Sequence, residues 1–179
     1  MRRHILTGAP GSGKTTVANL LAAAGRTVVA EAATDRIAAA QAAGTPQPWN
    51  DPGFCETVAK AQRDRQAAAD ALPGPDQYFD RSPVCTLALA RFLGQAPGPI
   101  LTAELDRIRT EGPYQRRVYC FDLLGFITPT PARRIDLDAA KSFEQLHLEA
   151  YTELGFTIER LPAAAPAERA ALLTDLTEP

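Results

Sequence analysis

The residues best suited to chemistry stand near the start of the chain, in the run Gly8-Ala9-Pro10-Gly11-Ser12-Gly13-Lys14-Thr15. Glycines at this spacing let backbone N–H groups turn toward one point, and a helix that follows would add partial positive charge. Lys14 supplies a mobile cation for the β- and γ-phosphates of a nucleotide, and Thr15 supplies a hydroxyl for Mg²⁺. The pattern GxxxxGK[ST] therefore predicts a phosphate-binding loop, or P-loop.

The sequence on either side of this loop gives the context that the pattern requires. Residues 4–7 are an apolar run typical of a strand, and they stop at Gly8. After the loop, apolar residues recur at helical spacing over residues 17–24, and Gly25 is placed to end that helix. The order strand, Gly-rich loop, helix is the arrangement in which the motif binds phosphate.

Apolar, β-like runs alternate with helical patterns along the whole chain. The β-like runs are residues 4–7, 27–30, 78–79, 117–121 and 156–158. After the first helix, helical patterns cover residues 32–43, 54–72, 83–93, 101–108, 139–154 and 168–176. This order predicts an α/β fold of the three-layer P-loop class, with a five-stranded parallel sheet, helices on both faces and a small lid over residues 128–138.

Charged residues follow the strands at the edge where an open α/β sheet binds its ligands. Asp80 ends the third strand and could hold Mg²⁺, although a capping or ion-paired Asp has the same signature. Arg81 could grip a phosphate or a substrate hydroxyl, or serve as the structural partner of a carboxylate. Glu31 ends the second strand and could accept a proton from a substrate hydroxyl, although the helix dipole favours a Glu there in any case.

Further candidates lie in loops and on one helix. Arg133 and Arg134 stand in a Pro-flanked segment that could close over the phosphates and neutralise charge in a transition state, or could be solvated. Trp49 begins a polar-aromatic loop that could wall an acceptor site. His147 lies on an apolar helix face, where a histidine more often belongs to the core or the surface than to catalysis.

Composition argues against several classes of protein. Nineteen basic and 21 acidic residues give a formal net charge of −2, so the chain lacks the basic field that would hold nucleic acid. No apolar run approaches the roughly 18 residues of a membrane helix. Cys55, Cys85 and Cys120 are widely spaced and are expected to be free thiols in a reducing compartment. We therefore expect one cytoplasmic domain over residues 1–179, monomeric or homodimeric, that binds neither nucleic acid nor a membrane.

Together these motifs resemble those of small P-loop kinases. Glu31 after two valines looks like the strand-end Glu of nucleoside kinases, and Asp80-Arg81-Ser82 is similar to the Asp/Glu-Arg-Ser motif of deoxynucleoside kinases. The whole layout resembles a bacterial family of AAA-labelled small ATP-binding proteins akin to the nicotinamide-riboside kinase domain. The segments that carry this resemblance are residues 8–16, 28–32, 49–51, 79–81, 133–134 and 151–156.

The motif and the resemblance imply ATP and Mg²⁺ as cofactors, with Mg²⁺ linked through Thr15 and Asp80. The resemblance suggests that Glu31 and Arg81 contact the acceptor or a phosphate. The residues expected to bind the nucleotide are Gly8, Pro10, Gly11, Ser12, Gly13, Lys14, Thr15 and Thr16, and those expected to act in catalysis are Lys14, Glu31, Asp80, Arg81, Arg133 and Arg134.

Three functions fit these features. The first is a kinase that moves the γ-phosphoryl group of ATP to a small hydroxyl or phosphate acceptor. The alternative is a P-loop ATPase or nucleotide switch with water as acceptor, but such proteins usually end an apolar strand in Asp-Glu, whereas Arg81 follows Asp80. The third is a binding module that has lost catalysis, against which the intact Lys14 and Thr15 argue.

The acceptor of such a kinase is the least determined feature of the sequence. The candidates are a nucleoside, a nucleoside monophosphate such as CMP, nicotinamide riboside, or the hydroxyl of an antibiotic or a sugar, with nucleosides and nucleotides slightly favoured. A nucleotide acceptor would need extra cations, for which Arg36, Arg63 and Arg65 are the nearby candidates. Ala-Ala-Thr follows Glu31, whereas Pro-Val is typical of deoxynucleoside kinases, and this departure weakens the case for a nucleoside.

Overall fold

The computed structural model describes residues 1–126 and 135–178. Five strands form one parallel sheet in the order β2-β3-β1-β4-β5: β1 Arg2–Thr7, β2 Thr27–Val29, β3 Asp76–Asp80, β4 Arg117–Phe121 and β5 Thr157–Leu161. The described residues form seven α-helices: α1 Lys14–Ala23, α2 Ala32–Ala42, α3 Phe54–Ala68, α4 Pro83–Phe92, α5 Pro99–Glu111, α6 Leu137–Glu153 and α7 Pro166–Thr177. The predicted α/β class and the five-stranded parallel sheet are confirmed.

Side chains alternate between the two faces of the sheet, as the two-residue period of a strand requires. Ile5 of β1 packs into the apolar cluster that includes residues of α3, α4, α5 and α6. Its neighbour Leu6 packs into a second cluster, which includes residues of α1 and α7. Both side chains are fully buried, so helices cover both faces of the sheet and the three layers are those that the sequence predicts.

The third strand is longer than its apolar residues predict. The prediction covers residues 78–79, whereas β3 begins at Asp76 and all five of its residues are buried. Asp76 is accommodated because the Arg2 guanidinium donates two hydrogen bonds of 2.7 Å to its carboxylate, and His4 Nε2 lies 2.8 Å from Oδ1. Polar residues that are satisfied by distant partners give no strand signal of their own.

Other boundaries move by a few residues, and the prediction of free cysteines is confirmed. Helix α3 gives way at Ala68 to a short 3₁₀ turn, Ala69–Ala71, and β5 extends to Leu161 rather than ending at residue 158. Ser82 caps α4, since its Oγ accepts a hydrogen bond of 3.3 Å from Val84 N. The three cysteines are free and buried. Within the described ranges, no helix combines the length and apolar character needed to cross a membrane.

The parallel register brings the ends of neighbouring strands together. Val29 of β2 pairs with Phe79 of β3. Glu31 stands two residues past Val29, and Arg81 stands two residues past Phe79, so the two charged side chains meet at the carboxyl edge of the sheet. Because β1 is the other neighbour of β3, the loop after β1 opens at the same edge.

Candidate active site

The phosphate loop connects β1 to α1 and depends on glycine at three positions. Gly8, Gly11 and Gly13 have φ angles of 126°, 90° and 82°, a region that residues with a side chain rarely adopt. Gly8 is also tightly enclosed, because a Cβ atom there would lie 2.6 Å from the carbonyl oxygen of Phe121. Gly13 directly precedes α1, so the loop offers the free N–H groups and positive dipole end of that helix to an anion.

Lys14 is buried and folds back onto the loop. Its Nζ donates hydrogen bonds to the carbonyl oxygens of Gly8 (2.9 Å) and Ala9 (3.1 Å) and to Ser12 Oγ (3.1 Å). Burial, together with the nearby charge of Arg81, lowers the pKa of Lys14 to about 8. A polyphosphate beside this amine would favour its charged form, so the lysine and an anionic ligand would stabilise each other.

A second cation, on α7, bonds the backbone of the phosphate loop, and the sequence analysis did not identify it. Arg169 of α7 is 2% exposed, and its Nη1 donates a hydrogen bond of 2.6 Å to the carbonyl oxygen of Ser12. Its Nη2 donates to the carbonyl oxygen of Leu161 at 3.1 Å, and the guanidinium lies 4.6 Å from the ring centroid of Phe121. An arginine in an Ala-rich helix belongs to no motif, so no signal in the sequence identifies it. In the structure it fixes the loop backbone and places positive charge next to it.

Thr15 and Asp80 come together as the predicted Mg²⁺ site requires. Thr15 Oγ1 donates a hydrogen bond of 3.1 Å to Asp80 Oδ2. The other carboxylate oxygen, Oδ1, is buried and has no hydrogen-bond partner among the described residues. Burial raises the pKa of Asp80 in spite of the nearby Lys14. A buried carboxylate oxygen without a partner, next to a hydroxyl, is a donor set that suits Mg²⁺, so these two residues fit the ion.

Glu31 and Arg81 form an ion pair at the ends of β2 and β3. Arg81 Nε lies 2.5 Å from Glu31 Oε1, and Thr34 Oγ1 donates a hydrogen bond of 3.0 Å to Glu31 Oε2. Burial alone would raise the pKa of Glu31, but the charges of Arg81 and Lys14 outweigh burial and hold that pKa below its usual value. Glu31 is therefore ionised at neutral pH and can accept a hydrogen bond from a ligand hydroxyl.

Arg81 has an uncommon backbone conformation, and its side chain contacts a histidine. Its φ angle is 79°, a strained value of the kind found at functional sites. His147 Nδ1 lies 2.7 Å from the carbonyl oxygen of Phe143, which can only accept, so Nδ1 carries a proton. His147 Nε2 then accepts from Arg81 Nη1 at 3.0 Å. Burial and the Arg81 charge lower the pKa of His147 well below 6.5, so a neutral ring orients the guanidinium. His147 belongs to the core, one of the two positions expected for it, but its contact with Arg81 was not foreseen.

The phosphate loop and the ends of β2 and β3 line one cleft of about 800 Å³, a size that is typical of small-molecule sites, whereas Arg169 and His147 support it from outside. The cleft contains six of the predicted loop residues, Pro10, Gly11, Gly13, Lys14, Thr15 and Thr16, together with Glu31, Asp80, Arg81 and Trp49. Gly8 and Ser12 do not line it. Gly8 shapes the turn against β4, and buried Ser12 accepts a hydrogen bond from Lys14.

The predicted lid falls largely outside the described residues. Arg133 and Arg134 both lie outside them, so their predicted roles stay predictions. Of the lid's described residues, Ile135 lines the cleft. Asp136 caps α6, since its Oδ1 accepts a hydrogen bond of 2.8 Å from Ala139 N.

A family comparison decides where this chain belongs. The model of the AAA domain matches residues 3–169. The chain belongs to the AAA domain family. This AAA domain protein thus has the family membership that the motifs of its sequence indicate. No curated protein gives a significant match to its sequence.

Solved structures share the fold of this AAA domain protein. Deoxyadenosine kinase from M. mycoides with bound dATP has a TM-score of 0.61 at 13% identity, over 97% of this chain and 98% of that chain. The same kinase with the products dCMP and a flexible dCDP gives 0.58 at 14% identity, over 97% of both chains. With bound dCTP it gives 0.56 at 15% identity, over 98% of both. Likeness at such low identity establishes a shared P-loop kinase fold.

Proposed function

We propose that this AAA domain protein is an ATP-dependent small-molecule kinase, which moves the γ-phosphoryl group of ATP to a hydroxyl or phosphate acceptor. Nucleosides and nucleotides are the first acceptors to consider. The observation that carries the proposal is the Glu31–Arg81 ion pair, which faces the same cleft as the phosphate loop. A phosphate-binding loop alone serves many functions, whereas an ionised carboxylate beside it gives a second substrate a defined binding point.

Each residue of the cleft has a defined task in such a transfer. The loop N–H groups and Lys14 bind the phosphates and compensate the charge that develops on them. Thr15 and Asp80 would hold Mg²⁺, which would supply positive charge to the bound phosphates. Glu31 accepts the hydrogen bond of the acceptor hydroxyl and aims its oxygen, and Arg81 keeps Glu31 in place through their ion pair.

The lowered pKa of Glu31 is compatible with this role. Phosphoryl transfer passes through a loose transition state, so catalysis depends on position and electrostatics more than on a strong base. An ionised Glu31 can orient the hydroxyl early and take its proton as the new bond forms. A water-activating ATPase would use the same carboxylate, so the acceptor must be determined by experiment.

The test follows ADP release from ATP and Mg²⁺, alone and with a panel of nucleosides, nucleoside monophosphates and other small alcohols. A kinase releases ADP faster with one acceptor and yields the phosphorylated acceptor. Equal ADP release with every acceptor and with none would refute the proposal and favour an ATPase. No ADP in any arm, with ATP still bound, would also count against it.

Variants connect the activity to the carboxylate. Glu31→Gln should lower transfer by about 10²- to 10⁴-fold and leave ATP binding intact, because it removes a proton acceptor while keeping the shape. Glu153→Gln is the matched control, since Glu153 pairs with Arg91 at 2.6 Å on the exposed surface and does not line the cleft. Lys14→Ala should abolish transfer in a protein that still folds, and an unchanged rate would contradict the assignment of the phosphate loop.

A further inference from the structure

Aromatic and aliphatic side chains form the part of the cleft that the phosphate loop does not occupy. We define the apolar wall as Trp49, Phe54, Val58, Leu89, Phe92 and Phe143, all of which line the cleft. The rings of Phe92 and Phe143 stack with centroids 4.7 Å apart. Because these side chains come from α3, α4, α6 and the turn before α3, they enclose a ligand from several directions and favour an apolar one.

Positive charge is scarce in this part of the cleft. Among the described lining residues only Lys14 and Arg81 are cationic, and both are bonded to protein groups, the loop oxygens and Glu31 respectively. The other arginines expected near an acceptor phosphate are absent from the described lining. Arg63 pairs with Glu104, and Arg65 donates a hydrogen bond of 2.7 Å to the carbonyl oxygen of Ala30.

The same place carries negative charge. Glu31 is ionised at neutral pH and faces the cleft. An acceptor phosphate at this point would approach its carboxylate with no free cation among the described residues to balance it. A hydroxyl carries no such cost and donates directly to a carboxylate.

Polar side chains of Gln62 and Thr34, which line the cleft, are also committed to protein partners. Gln62 Nε2 donates a hydrogen bond of 3.0 Å to the carbonyl oxygen of Ser82, and its Oε1 accepts one of 2.8 Å from Thr86 Oγ1. Thr34 donates to Glu31. These described groups therefore offer little for the polar edge of a nucleobase, and reading such an edge would require breaking bonds that the fold already makes.

We propose that the acceptor is an uncharged alcohol with an apolar body, and that the cleft selects against phosphorylated acceptors. This inference rests on the proposed kinase function and narrows its acceptor class. The alcohol oxygen bonds to the γ-phosphorus of ATP while the bond from that phosphorus to the β–γ bridging oxygen breaks. The hydroxyl proton goes to Glu31, and ADP leaves with the bridging oxygen.

The single tryptophan of the chain, Trp49, lines the cleft and reports on its occupancy. The experiment titrates the protein, saturated with ADP and Mg²⁺, with two pairs of compounds that differ by one phosphate group. The pairs are 4-cyclohexylbutan-1-ol with its phosphate ester, and thymidine with thymidine 5′-monophosphate. We expect 4-cyclohexylbutan-1-ol to change the tryptophan fluorescence at a lower concentration than thymidine does. Each phosphate ester should bind about tenfold more weakly than its parent alcohol.

A charge-insertion variant tests the cause. Leu89→Lys adds one cation to the apolar wall and should strengthen binding of thymidine monophosphate at least severalfold while weakening that of the cyclohexyl alcohol. Leu20→Lys is the control, because Leu20 is exposed on α1 and does not line the cleft. Circular dichroism of both variants establishes that each is folded.

Two outcomes would overturn the inference. The first is a phosphate ester that binds as tightly as its parent alcohol. The second is no fluorescence change with either alcohol up to about 5 mM, since a cleft of this size and polarity should bind both alcohols at that concentration. The kinase proposal is judged separately by phosphoryl transfer. An alcohol that binds but is not phosphorylated supports the proposed selectivity and counts against the kinase function. A monophosphate that becomes phosphorylated supports the kinase function and counts against the selectivity.

Discussion

The amine of Lys14 should make nucleotide binding sensitive to pH in a range where most lysines are insensitive. In the free protein burial lowers the pKa of Lys14 to about 8, and its ammonium bonds three loop oxygens. The phosphates of ATP would hold the lysine in its charged form, because opposite charges at close range raise the pKa of an amine. Binding at high pH must therefore be accompanied by uptake of a proton.

The size of the effect follows from this pKa. With a pKa of about 8 in the free protein, about nine-tenths of the lysines are charged at pH 7 and about one-tenth at pH 9. If ATP binds only the charged form, its Kd rises about tenfold between these two pH values. The number of protons taken up on binding grows from about 0.1 at pH 7 to about 0.9 at pH 9.

Isothermal titration calorimetry with ATP and Mg²⁺ at pH 7, 8 and 9 measures both quantities. Comparing two buffers with different ionisation enthalpies gives the proton count. Lys14→Arg is the control, since arginine stays charged throughout and its Kd should be nearly constant over this range. A Kd for the natural protein that is flat from pH 7 to 9, with no proton uptake, would refute the reasoning.

Three further substitutions probe the fold and the site. Gly8→Ala should lower the free energy of unfolding by at least about 2 kcal/mol, because the new Cβ atom would clash with a backbone oxygen. Gly25→Ala, at a φ of 79° with open space around it, should lower it by only about 1 kcal/mol, and denaturant unfolding compares the two variants. Arg169→Met should lower the free energy of unfolding by about 1–3 kcal/mol and weaken ATP binding. Arg26→Met, at an exposed ion pair, should change the free energy of unfolding by less than about 1 kcal/mol. Equal effects of the two substitutions would argue against Arg169 as a support of the phosphate loop. His147→Leu removes the acceptor of a hydrogen bond from Arg81 that is worth about 1.5 kcal/mol. Turnover should therefore fall about tenfold with the KM for ATP unchanged, and unaltered turnover would contradict the role of His147 in orienting Arg81.

Features set by local sequence were predictable. The glycine spacing of the phosphate loop needs no distant partner, and its context of strand and helix lies within the first 25 residues. Glu31, Asp80 and Arg81 were expected to converge because the ends of parallel strands share one edge of a sheet. The register of β2 and β3 bears out this expectation for their two strand ends.

Features set by distant partners were not predictable. Asp76 belongs to a strand because His4 lies near it from 72 residues away, and His147 acts on Arg81 from 66 residues away. Arg63 and Arg65, named as candidate cations for an acceptor phosphate, pair with Glu104 and Asp35, and these partners too were not predictable. The sequence shows that a residue is charged, but the tertiary structure determines which residue it pairs with.

The bond between Arg169 and Ser12 joins residues that are 157 positions apart. The phosphate loop is made before α7, and its backbone gains the bond from Arg169 only once α7 has also left the ribosome and packed. A growing chain therefore carries a complete phosphate-binding motif long before it can hold a nucleotide firmly. Firm nucleotide binding is therefore expected only of the finished fold, so that a bound nucleotide would stabilise the folded protein rather than its intermediates.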